Sequence, residues 1–171
     1  MKRRAESPDN AGDAFDVLFR REFGPITRTA YLIVGDWEVA REIAQDAFVQ
    51  VLRHWKKVQE VESPGGWVRR VAIRDAVRTR RRDARGRRLL RTVASGFAEE
   101  SEFVSGEVRH ALLTLPRQQR AVIALHYLED RTVAEIATLL GCSEGSVKTH
   151  LSRGRAALAS RLGEVVTDDP R

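Results

Sequence analysis

The stretch TVAEIATLLGCSEGSVKTHLSRGRAAL, residues 132–158, contains two amphipathic segments separated by a glycine. Thr132 and Glu135 have the spacing of a capping box, in which each side chain accepts a hydrogen bond from a free backbone N–H at the start of a helix. Gly141 permits a sharp turn after the first segment, and Ser143 is a suitable N-cap for the second. The stretch therefore predicts a helix-turn-helix.

The second helix of this stretch has an apolar side and a polar side. At about 100° per residue, one side holds Val147, Leu151, Gly154 and Leu158, and the other holds Lys148, Thr149, Ser152 and Arg153. A helix that is anchored along its apolar edge and presents hydroxyl and cationic groups outward suits the major groove of DNA. The alternative is a solvated face on an ordinary helical pair. The two caps, the glycine turn and the outward polar set together favour DNA binding.

The bulk composition agrees with an anionic partner. The 171 residues carry a formal net charge of +6, which favours nucleic acid ahead of an anionic membrane surface. The single cysteine, Cys142, excludes an intramolecular disulfide and a cysteine-based metal cluster. No apolar run approaches the roughly 20 residues of a membrane span, and the N-terminus lacks the apolar core of a signal peptide. The sequence predicts a cytoplasmic protein with no membrane span.

Helical periodicity without strand signals predicts an all-α protein of two small helical domains joined by a flexible linker. The expected segments are a disordered tail over 1–12, a first domain over 13–84, the linker over 85–106, a second domain over 107–162 and a tail over 163–171.

The first domain reads as three helices. The first should run from about Asp13 to Val34, with Gly24-Pro25 kinking or splitting it. A polar loop, KKVQEVE, comes before the third helix. This helix should start at Ser63-Pro64, an N-cap followed by proline at the first helical position, and reach about Arg82. The second follows Gly35-Asp36 and carries a long apolar stripe of Val39, Ile43, Ala44, Ala47, Phe48, Val51, Leu52 and Trp55.

A longer run around the helix-turn-helix carries a more specific signal. LPRQQRAVIALHYLEDRTVAEIATLLGCSEGSVKTHLSRGRAAL, residues 115–158, resembles the C-terminal domain of the extracytoplasmic-function (ECF) sigma factors, which reads the −35 promoter element. The matching features are Leu115-Pro116, Arg120, Glu135-Ile136-Ala137, Gly141, Ser146-Val147-Lys148 and Arg153-Gly154-Arg155. The resemblance implies −35 contacts by Lys148, Thr149, Ser152, Arg153 and Arg155.

A competing resemblance starts from the same helix. SEGSVKTHLS, residues 143–152, also resembles the DNA-binding domain of LuxR-type regulators, which would act as a free-standing transcriptional regulator without core polymerase. The continuation RGRAAL belongs to the sigma pattern, and a receiver domain would need alternating strands and helices upstream. Both features favour the sigma factor.

The second helix of the first domain resembles a polymerase-docking segment. AREIAQDAFVQVLRHW, residues 40–55, is similar to the ECF sigma segment that binds the coiled coil of the RNA polymerase β′ subunit. The resemblance implies docking by Glu42, Gln45 and Asp46, which share one flank of the helix. Phe48 is expected in the core.

The third helix concentrates the positive charge. Residues 67–91 contain eleven arginines and two aspartates, so the net charge of this segment exceeds the +6 of the whole chain. Phosphate binding by this segment should therefore be strong and salt-sensitive. In ECF sigma factors this helix and the preceding loop, here 58–62, hold the melted −10 element. The resemblance assigns this track to Arg69, Arg70, Arg74 and Arg78.

Two residues of this helix leave a question open. Trp67 could stack on a base, although a tryptophan in this position is more often part of the core. Arg74 stands where the family often has asparagine, so the resemblance does not carry over the −10 base preference.

The remaining signals favour a binding protein. The acidic linker AEESEFVSGE, residues 98–107, is either an RNA mimic in the polymerase exit path, as the resemblance implies, or a spacer. The four histidines show no metal-ligand spacing, and there is no phosphate-binding glycine loop or nucleophile elbow. We therefore expect no catalysis, cofactor or metal.

The expected protein is an alternative sigma factor, the specificity subunit of RNA polymerase. Its partners would be the β′ and β subunits of core RNA polymerase and promoter DNA, with an anti-sigma factor as a candidate partner. The LuxR-like regulator is the main alternative, and an adaptor without sequence preference is a third.

Overall fold

A computed structural model describes residues 8–79 and 106–162, all regular elements of which are helical. The predicted all-α class is therefore confirmed. The helices are α1 (Pro8–Val34), α2 (Trp37–Arg53), α3 (Trp55–Val58), α4 (Pro64–Arg78), α5 (Gly106–Thr114), α6 (Arg117–Ile123), α7 (Val133–Leu140) and α8 (Glu144–Leu162). The predicted linker lies outside the described residues except for Gly106, and so do residues 1–7 of the predicted N-terminal tail, the C-terminal tail and the arginines within 80–91.

The first helix is longer than the sequence pattern indicated. It begins at Pro8 instead of near residue 13, and it continues through Pro25 without being split. Proline suits a helix start because its missing N–H would be unpaired there in any case. Beyond Pro25, Ile26 and Ala30 are each about 1% exposed, so packing on that side holds the helix together where local propensity would break it.

Aromatic rings form the centre of the first domain. The ring centroids of Phe15, Phe19 and Phe23 on α1 lie 6.2, 4.9 and 6.0 Å from that of Phe48 on α2. Phe48 is 3% exposed, so its predicted place in the core is confirmed. Helix α4 closes the other side with four buried apolar residues, Val68, Ala72, Ile73 and Ala76.

Side-chain caps mark the starts of α2 and α4, and the cap of α4 at Ser63 was predicted. The amide of Val39 donates to Asp36 Oδ1 over 3.0 Å, and the amide of Gly66 donates to Ser63 Oγ over 3.1 Å. The segment between these helices differs from the predicted loop, because α3 forms a single turn at its start. The ring of Trp55 in this turn packs edge-on against Phe15 with centroids 5.5 Å apart, which holds the turn against the core.

The second domain packs α8 across α6 and α7. Each of these helices contributes a fully buried residue to the core: Val122, Ile136 and Val147. After α6 the chain continues as a π-helical turn, Ala124–Leu128. Glu129 follows this turn directly, and its amide donates back to the carbonyl of Ala124 over 3.2 Å.

Gly154 sets how closely α8 approaches α6. A Cβ added at Gly154 would lie 2.8 Å from Cγ1 of Ile123, which is itself buried. Only a hydrogen atom fits between the Cα of Gly154 and Ile123. A methyl group at this position would force neighbouring atoms of the packed core to move, which costs free energy.

We predict that Gly154→Ala lowers the free energy of unfolding by about 1–2 kcal/mol, because overpacking outweighs the gain of about 1 kcal/mol in helix propensity. The matched control is Gly145→Ala in the same helix, where the nearest atom, Ser143 Oγ, is 3.8 Å from the added Cβ. That variant should be neutral or more stable. Urea unfolding followed by circular dichroism measures both, and equal shifts in the two variants would contradict the close contact.

Candidate nucleic-acid interface

The helix-turn-helix of α7 and α8 has the caps that its sequence predicts. The amide of Glu135 donates to Thr132 Oγ1 over 3.3 Å, and the amide of Thr132 donates to Glu135 Oε2 over 2.8 Å, which completes the capping box. Gly141 has a φ of +68°, a left-handed conformation that ends α7 sharply. The amide of Ser146 donates to Ser143 Oγ over 3.2 Å and begins α8.

Helix α8 presents the predicted polar face outward. Its apolar side is buried through Val147, Leu151, Gly154 and Leu158. Lys148, Thr149, Ser152 and Arg153 are all exposed, whereas Arg155 is half-buried. Because the buried side fixes how the helix is rotated about its axis, the exposed side chains form one continuous surface. Cys142 is exposed, since the turn itself faces solvent.

Helix α2 presents a second exposed surface. Glu42, Gln45 and Asp46 are exposed and lie beside the buried residues of the helix, so they share a flank as predicted. Two apolar residues extend this flank by two further turns: Val49 is 45% exposed and Leu52 is 57% exposed.

The exposure of Leu52 corrects the sequence analysis, which placed it in the apolar core stripe. Positions 42, 45, 49 and 52 follow helical spacing on the outer side of α2. This spacing is the feature of the sequence that could have predicted the exposure of Leu52. We call Glu42, Gln45, Asp46, Val49 and Leu52 the α2 stripe.

The four arginines predicted to form one −10 track do not share one environment. Arg70 and Arg78 are exposed on α4, whereas Arg69 and Arg74 are half-buried and point toward the second domain. Arg69 Nη1 donates to Glu129 Oε2 over 2.7 Å. Arg74 Nε donates to the carbonyl oxygen of Leu139 over 3.0 Å.

One cavity brings two of the predicted groups together. It has a volume of about 240 Å³ and is lined by Ile43, Asp46, Asp75, Arg78 and Thr79. The α2 stripe and the exposed arginine at the end of α4 therefore border the same depression.

Arg120, one of the residues that carry the family resemblance, is buried between the two domains. Its guanidinium donates to the carbonyl oxygens of Ile33, Leu113 and Leu115 over 2.9, 3.0 and 2.9 Å. Burial and, to a smaller extent, the nearby charge of Arg117 lower the pKa of Arg120 to about 10. The side chain still carries its charge at neutral pH, so it ties the loop before α6 to the last turn of α1.

The described parts of the chain contain neither a metal-binding cluster nor a membrane-spanning helix. In 8–79 and 106–162 no three His, Cys, Asp or Glu residues are arranged to hold a metal ion. Within the same residues no helix has the length and apolar character needed to cross a membrane.

Comparison with known proteins identifies the two domains. Residues 18–86 match the family Sigma-70 region 2, and residues 105–158 match Sigma-70, region 4. The chain is 32% identical over 163 residues to the ECF RNA polymerase sigma factor SigM of Mycobacterium tuberculosis, with 92% of this chain and 82% of SigM covered. This chain belongs to the ECF RNA polymerase sigma factors.

Other ECF sigma factors extend the comparison. SigW of Bacillus subtilis is 28% identical over 170 residues, covering 90% of this chain and 91% of SigW. Among solved structures, the sigma factor RpoE in complex with the anti-sigma factor NepR from Bartonella quintana has a TM-score of 0.63 at 17% identity, covering 88% of this chain and 97% of RpoE. That likeness supports the fold. The predicted alternative sigma factor is confirmed, and the LuxR-like regulator is not favoured.

The capping box of this ECF sigma factor makes the stability of its helix-turn-helix depend on pH. Glu135 accepts hydrogen bonds from the Thr132 amide, the Thr132 hydroxyl and Arg131, and these hold its pKa below the usual 4.5. A depressed pKa means that the carboxylate stabilises the fold above pH 4.5 and loses this effect as the pH falls through the folded-state pKa.

We expect Glu135→Gln to be less stable than the native protein at pH 7 and at pH 5.5, with the difference shrinking toward pH 3. Urea unfolding at these three pH values measures it. Glu107→Gln, which removes an exposed carboxylate from the first turn of α5, is the control and should show a smaller effect. A deficit for Glu135→Gln that stays constant down to pH 3 would show that the carboxylate charge is not the cause.

Proposed function

We propose that this ECF sigma factor binds the β′ and β subunits of core RNA polymerase in the cytoplasm and directs the enzyme to promoters. The observation that carries the proposal is the presence, in one chain, of an exposed polar face on α8 and an arginine-rich α4 beside an exposed α2 stripe. RNA synthesis itself belongs to the polymerase, and this chain acts as its specificity subunit.

The α2 stripe is suited to dock on a helical partner. Its residues follow helical spacing over ten positions, so a second helix packed along α2 would meet all of them. Val49 and Leu52 supply exposed apolar area at one end, where binding energy is gained by excluding water. Glu42, Gln45 and Asp46 supply polar contacts that steer association and set the register. We assign this surface to the coiled coil of β′.

Helix α8 is assigned to the −35 duplex. Lys148 and Arg153 are exposed cations suited to guanine edges or phosphates, and Thr149 and Ser152 add hydroxyl groups between them. The Thr149 hydroxyl already donates to the carbonyl of Gly145 over 2.9 Å, which leaves its lone pairs to accept from DNA. Arg155, half-buried at the edge of this face, is assigned to the phosphate backbone.

Helix α4 and the loop before it are assigned to the melted −10 strand. Arg70 and Arg78 are exposed and could begin the phosphate track. In the loop over 58–62, Val61 is 40% exposed and offers an apolar surface for an extruded base. Trp67 is half-buried and packs on the core, which favours a supporting role over stacking.

An anti-sigma factor remains a candidate partner. The α2 stripe and the outer face of α8 are both exposed in this chain, and the function proposed here uses both for initiation. A protein that covered either surface would silence the sigma factor.

Transcription in vitro tests the proposal. The purified chain and bacterial core polymerase are incubated with genomic fragments that include the region upstream of its own gene. Discrete transcripts that depend on the chain are expected. Tight footprints by the chain alone, with no added transcripts, would instead support a regulator that works without polymerase.

We predict that Asp46→Arg abolishes most of these transcripts, because reversing a charge within the α2 stripe should weaken polymerase binding by about 10- to 100-fold. The matched control, Asp16→Arg, makes the same exchange on α1, where Asp16 forms an exposed pair with Arg20. It should keep near-native transcription. Co-sedimentation with core enzyme measures binding directly, and equal loss in both variants would argue against docking through α2.

We further predict that Arg153→Ala weakens promoter binding by the holoenzyme, with a loss of about 1–3 kcal/mol in binding free energy. The variant should also discriminate less among −35 sequences. Arg161→Ala is the control, since Arg161 is exposed in the last turn of the same helix, two turns beyond the assigned face. Fluorescence anisotropy with native and altered −35 duplexes measures both. Unchanged discrimination in Arg153→Ala would remove Arg153 from base reading.

A further inference from the structure

Glu22 on α1 joins two arginines at the start of α4. Its Oε1 accepts a hydrogen bond from Arg21 Nε over 2.8 Å, and its Oε2 accepts one from Arg69 Nη2 over 3.3 Å. The side chains of Glu22 and Arg69 are 14% and 17% exposed, whereas that of Arg21 is 66% exposed. Arg69 is also paired with Glu129. Of the two arginines, Arg21 is therefore the one that a phosphate in solution can reach.

Gly65 lets this group of side chains lie directly on the first turn of α4. A Cβ added at Gly65 would be 2.8 Å from Glu22 Oε1 and 3.4 Å from Arg21 Nη2. The first turn of α4 contains no acidic residue of its own. The Glu22 carboxylate, supplied by α1, therefore provides the negative charge that the positive end of a helix favours. The same carboxylate holds the Arg21 guanidinium beside α4.

Arg21 lies next to the surface assigned to the melted −10 strand. The loop over 58–62, where Val61 is exposed, leads directly into the turn that Arg21 adjoins. The exposed Arg70 lies further along the same helix. Glu22 engages Nε of Arg21, which leaves the Nη1 and Nη2 groups to donate to a phosphate. Arg21 thus extends the exposed positive surface of α4 onto α1.

The neighbouring Arg20 has a different placement. Its side chain is 78% exposed, and its Nη2 lies 2.7 Å from Asp16 Oδ2, one turn back on the same helix. Successive residues of a helix are about 100° apart around its axis, so Arg20 and Arg21 project in different directions. Arg20 therefore has the same charge as Arg21 and a similar exposure, but it forms its ion pair within α1.

We propose that Arg21 binds a backbone phosphate of the melted −10 strand, and that Glu22 is a positioning residue that holds Arg21 for this contact. The proposal rests on the assignment of α4 and the loop over 58–62 to the −10 strand. A phosphate contact carries no base preference, but it fixes the position of the strand on the protein. The strand would run from the exposed arginines of α4 across the first turn of this helix to α1.

The first test measures single-strand binding by the full-length chain alone. Anisotropy of a fluorescent 15-nucleotide oligo-dT is titrated at several salt concentrations. Arg21→Ala should bind about tenfold more weakly than the native chain, and the slope of log K against log salt should become shallower by about 0.7, as expected for the loss of one phosphate contact to a single strand.

Arg20→Ala is the matched control for this measurement. It removes the same charge from the adjacent position, and its affinity should stay within about twofold of the native value, because salt screens a charge that does not touch the strand. Equal losses of affinity in Arg20→Ala and Arg21→Ala would overturn the proposal.

The second test separates positioning from simple electrostatics. Removing a negative charge near a DNA-binding surface should by itself strengthen DNA binding. If Glu22 orients Arg21, Glu22→Gln should instead weaken oligo-dT binding by about threefold or more, because a neutral amide holds a guanidinium less firmly than a carboxylate does. Glu38→Gln removes an exposed carboxylate from the first turn of α2 and should bind at least as tightly as the native chain. Native or tighter binding by Glu22→Gln would refute the positioning role.

Gly65→Ala tests the same contact without changing any charge. The added methyl group displaces the Glu22 carboxylate from the first turn of α4. The fold should be retained, because alanine is the better helix former and the displaced atoms are at the end of a flexible side chain. Oligo-dT binding should nevertheless weaken. If urea unfolding shows that Glu22→Gln is unstable, Gly65→Ala decides the question, and native affinity in this variant would refute the positioning role.

These readouts do not require polymerase, so they can be told apart from the test of the proposed function. Transcripts from the native chain together with unchanged oligo-dT binding by Arg21→Ala would refute the phosphate contact alone. The absence of transcripts from the native chain would count against the proposed function instead.

Discussion

The relative placement of the two domains depends on the buried guanidinium of Arg120. It donates to the carbonyl oxygens of Leu113 in the last turn of α5, of Leu115 in the loop before α6 and of Ile33 in the last turn of α1. No hydrogen-bond partner among the described residues reaches its Nε. A buried cation satisfied by neutral carbonyls is costly to expose or to remove, since either change leaves polar groups unpaired. Through this one side chain, the end of α5 and the loop before α6 are tied to the first domain.

With that anchor in place, the surfaces of the protein acquire different roles. The outer face of α8 is kept toward solvent by its buried opposite side, and the α2 stripe faces solvent because the other side of α2 packs on the phenylalanine cluster. The face of α4 that carries Arg69 and Arg74 is directed at α7 and Glu129. Positive charge that the sequence concentrates for DNA is thus partly neutralised by the protein's own second domain.

Local signals in the sequence were reliable wherever a few neighbouring residues decide the outcome. The capping box at Thr132, the N-cap at Ser63 and the turn at Gly141 all form as predicted, because each involves contacts within a few positions. Predictions failed where packing against distant residues overrides propensity. Helix α1 continues through Pro25 because its flanks are buried, and Leu52 lies outside the core because the neighbouring helices cover the opposite side of α2.

The sequence by itself determined the all-α class, the helix-turn-helix, the family and the outward residues of α8, since periodicity and capping are written in adjacent positions. Only the tertiary structure decided which of the predicted −10 arginines are exposed. Arg70 and Arg78 face solvent, whereas Arg69 pairs with Glu129, sixty positions away. Such a pairing depends on how two separate domains meet, and neither composition nor spacing along the chain encodes that geometry.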